Sequence, residues 1–122
     1  MIHHVRRKPH QECCGLLAGR DEVITRAFPA ANVAIDPKRN YEIAPKEIVR
    51  LMREMRARKL NFLGIYHSHP VTENVPSPKD IELAYYAEAS YFIVNPRPYA
   101  EKPVRAFSIR DGCATEVEIE LV

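Results

Sequence analysis

Asn61-Phe62-Leu63-Gly64-Ile65-Tyr66-His67-Ser68-His69-Pro70 is the stretch around which the chain can be organised. Residues 61–67 are a short, mostly apolar run, which predicts a buried central strand rather than a surface loop. Pro70 lacks a backbone N–H and ends the pairing. Side chains alternate along a strand, so His67 and His69 should project to one side, at the exit of the apolar run.

Working outward, residues 45–59 predict the clearest helix. Ile48, Leu51, Met52 and Met55 fall at i, i+3, i+4 and i+7, and Pro45 suits a first helical turn. Its other face carries Lys46, Arg50, Arg53, Arg56 and Lys59. A solvated face explains these cations, and a docking surface for an acidic protein is the sharper alternative. Residues 12–19 (ECCGLLAG) predict a buried strand, with 22–28 as its hairpin partner through Gly19-Arg20-Asp21. Residues 29–44 form a connection long enough to carry function. Residues 78–89 predict a second helix, and 91–95 a short strand closed by Pro96. Residues 103–109 and 114–122 predict a last hairpin around Asp111-Gly112, with Val117, Ile119 and Leu121 on a buried face. This order gives an α+β (α/β-like) fold, a mixed β-sheet flanked by helices.

Composition bounds the function classes. The 122 residues are 46% hydrophobic and 28% charged, which predicts one soluble domain over residues 1–122. A net charge of +2 is too mild to argue for nucleic acid. No apolar run could span a membrane, and the opening MIHHVRRKPH lacks the apolar centre of a signal peptide. Cys13, Cys14 and Cys113 are odd in number, two of them adjacent, so reduced thiols in a cytoplasm are expected. Cys13 and Cys14 read as small buried hydrophobes, and His3, His4 and His10 as surface residues.

The chemistry concentrates in a few polar residues. An isolated H-x-H is ambiguous, and two half-exposed strand-end histidines would explain it. Ser77-Pro78-Lys79-Asp80 is already explained as a helix start, with Ser77 as N-cap, Pro78 at N1 and Asp80 as the acidic half of a capping box. Yet two histidines and a carboxylate are also a frequent catalytic zinc set, with the fourth position left to water. Glu12 opens a buried strand, where a carboxylate is unusual. It is either a surface charge just outside the sheet or the base that a metal-activated water needs. There is no H-E-x-x-H and no P-C-x-x-C, so other zinc-hydrolase signatures fail.

Together these residues resemble the signature of the JAMM (MPN+) metalloprotease family: a distant glutamate, H-x-H, seven residues, S, two residues, D. Here they are Glu12, then His67-Ser68-His69, residues 70–76, Ser77, Pro78, Lys79 and Asp80. Residues 12–17 and 40–45 also look like the family's first strand and the run before its central helix. The resemblance implies an MPN/JAMM-like sheet of cytidine-deaminase-like architecture. It implies His67, His69 and Asp80 as ligands of one zinc ion that also holds a water. It implies Glu12 as general base and acid, and Ser77 as a hydrogen-bond donor to the developing oxyanion. The implied reaction is hydrolysis after the C-terminal Gly-Gly of a ubiquitin-like or sulfur-carrier protein, whose tail lies extended near residues 29–44. A homodimer is left open. A non-catalytic MPN scaffold and a small-molecule amide hydrolase on the same zinc site are the rival readings.

Overall fold

In the computed structural model, which describes residues 11–70 and 72–121, one six-stranded sheet carries the architecture. The strands are β1 (Cys14–Arg20), β2 (Val23–Ala30), β3 (Asn61–Ser68), β4 (Ser90–Val94), β5 (Val104–Arg110) and β6 (Cys113–Val117). Their order across the sheet is β2-β1-β3-β4-β5-β6. All neighbours are antiparallel except β3 and β4. That parallel pair needs a crossover, supplied by residues 69–89. The mixed sheet predicted from the sequence is therefore present, with β3 at its centre.

Helix α1 (Pro45–Ala57) packs on one face. Leu51 and Met55 are buried against Leu16, Ile65, Tyr91, Ile93 and Phe107. Pro45 stands in the first turn as expected. The helix stops two residues before Lys59, which takes a left-handed φ of 57°. The Arg20 guanidinium donates to the carbonyls of Arg58 and Lys59, satisfying acceptors left free at the helix end. The basic face is exposed, and Arg50 pairs with Glu47 at 2.7 Å, as a solvated helix face allows.

Both hairpins close with two left-handed residues, Asp21-Glu22 and Asp111-Gly112, whose φ values match the right-handed twist of the strands. The second was expected. The first corrects the predicted Gly19-Arg20-Asp21 join. Gly19 instead sits in β1 beside a register shift, where a Cβ would lie 1.8 Å from the Val23 carbonyl oxygen. Pro29 also corrects the predicted boundary. It lies inside β2, opposite Gly15, because β2 is an edge strand that can spare a donor.

Two further expectations fail. The second helix, α2, runs only Pro78–Glu82 rather than 78–89. After Leu83 the chain turns towards β4, the Tyr86 N–H donates to the Tyr91 hydroxyl, and Tyr86 packs edge-on against Phe62. Tyr85 at the next helical position faces solvent, so no apolar stripe sustains a longer helix. The last strand ends at Val117 rather than running to 122, and Val122 lies outside the described residues. Ile119 is 40% and Leu121 96% exposed, so the predicted buried face is not formed. Alternation buries side chains only where a second layer covers that face, and α1 covers the other one.

Candidate metal centre

The β3 strand and its exit deliver the two histidines. His67 is 1% exposed and pairs with Cys14 on one side and Ile93 on the other. The Tyr41 ring stacks on it, with centroids 4.3 Å apart and planes 20° apart. His69 lies one residue past the strand, and its backbone N–H donates to the Val94 carbonyl. The alternation read from the sequence therefore holds through the exit. His67 Nε2 and His69 Nε2 are 3.1 Å apart.

Asp80 comes from the first turn of α2. Its Oδ2 lies 3.2 Å from His67 Nε2 and 2.9 Å from His69 Nε2. The same oxygen accepts the Ser77 N–H at 2.9 Å, while Ser77 Oγ accepts the Asp80 N–H. This is a complete capping box. The capping reading of Asp80 holds, and the cap aims the carboxylate at the imidazoles. Ser77 uses its oxygen as acceptor in the cap, which leaves its hydroxyl proton free to donate elsewhere.

The three atoms form a triangle with sides of 2.9, 3.1 and 3.2 Å. A tetrahedral ion with bonds of about 2.0–2.1 Å requires ligand separations of roughly 3.3 Å. The donor set therefore fits a small dication with little movement. Two imidazoles and one carboxylate are also a chemically suitable set for zinc.

Glu12 reaches the same place from the start of β1. Its carboxylate oxygen lies within 4.8 Å of the ring nitrogens of His67 and His69. It is 5% exposed, and Oε1 is buried without a hydrogen-bond partner among the described residues. The surface-charge reading of Glu12 is excluded by this burial. Desolvation pushes its pKa up to about 8, opposed by the charge of His69 and reinforced by Asp80. Burial lowers His67, against the pull of Asp80. Burial would lower His69 too, but hydrogen bonds to Asp80 and the Glu73 carbonyl raise it overall. Asp80 is held well below the usual carboxylate range, since the hydrogen bonds from the two histidines outweigh its burial.

Several positioning residues escaped the sequence reading. Ser68 Oγ accepts the Cys13 N–H at 2.8 Å, pinning β1 beside Glu12. Asn32 donates to the carbonyls of Glu12 and Asn40 and accepts from the N–H groups of Ala34 and Glu42. It knits the 31–42 segment to the start of β1. Tyr41 orients His67. The H-x-H spacing could have flagged Ser68, but Asn32 and Tyr41 act through contacts that only the fold creates. Cys13 and Cys14 are buried, as small hydrophobes should be, and burial pushes the Cys14 thiol up to about 12. Cys113 is exposed on β6. His3, His4 and His10 lie outside the described residues. Among the described residues, no helix is long and apolar enough to cross a membrane.

Residues 1–110 match the family model described as prokaryotic homologs of the JAB domain. A desampylase of Haloferax volcanii is 38% identical over 90 residues, covering 72% of this chain and 65% of that protein, just under two thirds of its length. A CysO-cysteine peptidase of Mycobacterium tuberculosis is 33% identical over 124 residues, covering 100% of this chain and 84% of that protein. The solution structure of a Desulfitobacterium hafniense protein superposes with a TM-score of 0.86 at 33% identity, covering 100% of this chain and 86% of that one.

Proposed function

Because the chain belongs to the family of prokaryotic homologues of the JAB domain, we propose that it is a zinc metallopeptidase that hydrolyses the bond after the C-terminal Gly-Gly of a ubiquitin-like or sulfur-carrier protein. The observation that carries this reading is the convergence of His67, His69 and Asp80 on one point, with a buried Glu12 beside it whose Oε1 has no hydrogen-bond partner among the described residues. Relatives named a desampylase and a CysO-cysteine peptidase support peptide-type bond cleavage in a small-protein conjugate.

His67 Nε2, His69 Nε2 and Asp80 Oδ2 would hold one zinc ion. A zinc ion there supplies Lewis acidity, acidifying a water and polarising the scissile carbonyl. The residues of the chain do the rest. Glu12 takes a proton from the attacking water and delivers it to the leaving amine. Burial raises its pKa in the metal-free chain, and the charge of a bound zinc ion would draw it back down, leaving a carboxylate able to accept a proton near neutral pH. Ser77 donates its free hydroxyl proton to the carbonyl oxygen as negative charge grows there. Tyr41 and the Glu73 carbonyl keep the two rings in place. The Gly-Gly tail would lie extended along the 31–42 segment, which Asn32 holds against Glu12.

The test is incubation with a carrier protein extended beyond Gly-Gly, followed by mass spectrometry. Cleavage after the second glycine, abolished by chelator and restored by zinc, is expected. Absence of cleavage, or cleavage indifferent to chelator, refutes the proposal.

A further inference from the structure

We infer that Asn74 is a positioning residue for the metal centre, acting on His69 through the Glu73 carbonyl. The inference rests on the metal-centre reading above. Asn74 lies in the crossover between β3 and α2, away from the signature positions.

His69 Nδ1 is 2.8 Å from the Glu73 carbonyl oxygen. A carbonyl can only accept, so Nδ1–H donates to it and the ring is held with Nε2 turned towards His67 and Asp80. The aim of Nε2 is therefore set by where the Glu73 carbonyl points. Thr72 Oγ1 lies 3.3 Å from the same nitrogen.

The Glu73 carbonyl also accepts the Val75 N–H at 2.9 Å. That i→i+2 bond closes a three-residue turn with Asn74 at its middle. Short exposed turns are mobile unless something ties them down. Here the tie is the Asn74 side chain, which is turned inward, the residue being 6% exposed. Its Nδ2 donates to the Lys102 carbonyl at 2.8 Å and to the Ile93 carbonyl at 3.3 Å. Ile93 is the residue of β4 that pairs with His67. Lys102 lies in the 95–103 connection, which closes through the Asn95 N–H and the Pro103 carbonyl. One amide thus fixes the turn to the strand beside the ligand strand and to the neighbouring loop. Alanine would leave both carbonyls without this donor. Aspartate, of the same shape, would set a carboxylate against two carbonyls.

The experiment compares the intact protein with Asn74→Ala and Asn74→Asp. Zinc affinity is measured by competition with a chromophoric chelator, the His69 Nδ1–H and its exchange with solvent in the zinc-free protein by nitrogen-15 NMR, and unfolding by urea. In the unaltered protein, a slowly exchanging Nδ1–H is expected. In the variants, zinc should bind about tenfold or more weakly and that proton should exchange faster. A zinc affinity within twofold of the parent, with the exchange unchanged, overturns the inference, whatever the loss in stability. A His69 Nδ1 without a proton in the unaltered protein overturns it as well, even where the variants do not fold. If the unaltered protein binds no zinc, the metal-centre reading fails instead, and the exchange comparison still decides the role of Asn74.

Discussion

Glu12→Gln should stabilise the zinc-free protein, and increasingly so as pH rises. The folded Glu12 keeps its proton until about pH 8, against a usual value of 4.5. Between these limits the folded chain holds a proton that the unfolded chain has released. Stability contributed by the wild-type carboxyl therefore falls as pH climbs through this window. Glutamine has nearly the same shape and no proton to lose. At about 1.4 kcal/mol per unit, the unscreened difference between pH 5 and pH 8 is about 3.5 kcal/mol. Solvent at the mouth of the site reduces this by about half, to roughly 2 kcal/mol. His67, lowered by burial, gives stability that is lost as pH falls, the opposite slope. Glu12 is not among the causes of that shift, so its slope cancels in the difference, which reports Glu12 together with the charge it shares with His69. Urea unfolding of both chelated proteins at pH 5, 6, 7 and 8 measures it. The glutamine variant should gain about 2 kcal/mol on the parent across the series and should lose turnover by about 10²–10⁴-fold when zinc is present. A flat difference, or one that shrinks with pH, refutes the reasoning from burial.

Ser77→Ala removes both the cap acceptor and the free hydroxyl donor. It should cost about 1 kcal/mol in urea unfolding and lower kcat by about 10²–10³-fold, with the KM for a carrier-protein conjugate little changed. Asp80→Asn keeps an oxygen for the Ser77 N–H but removes the charge. Stability without zinc should fall by about 1–3 kcal/mol at neutral pH, because the histidines hold the charged form in the fold, while zinc affinity measured by competition should drop by more than about tenfold. Gly19→Ala drives a Cβ to within 1.8 Å of the Val23 carbonyl oxygen. Because that neighbour is backbone, unfolding should show a loss of about 2 kcal/mol or more.

The legible parts of this molecule are those governed by local rules. Strand alternation alone places His67 and His69 on one side. Helix-start chemistry alone puts Asp80 at N3, and the fold then uses that position to aim its carboxylate. The period of Ile48, Leu51, Met52 and Met55 gives α1 within two residues at its end. What was not legible depends on contacts distant in the chain. Tyr41 meets His67 across 26 residues, and Ser68 meets Cys13 across 55. Nothing in the local sequence marks either pairing. The predicted length of α2 failed because Tyr86 turns to meet Tyr91 and Phe62 rather than continuing a helical face. The alternation of Val117, Ile119 and Leu121 was read correctly as a pattern, yet whether it is buried depends on a covering layer that the strand itself does not encode. Glu12 lies between these cases. Its sequence position is odd enough to notice, and only the fold shows that one oxygen of its carboxyl is buried without a partner among the described residues.

The central claim, that His67, His69 and Asp80 hold one zinc ion, is tested most directly by crystals grown with zinc and measured on both sides of its absorption edge. One anomalous peak per chain is predicted, about 2.0–2.2 Å from His67 Nε2, His69 Nε2 and an Asp80 carboxylate oxygen, with Glu12 outside bonding distance. No peak at this place, or a peak bonded to Glu12 in place of Asp80, would contradict the account.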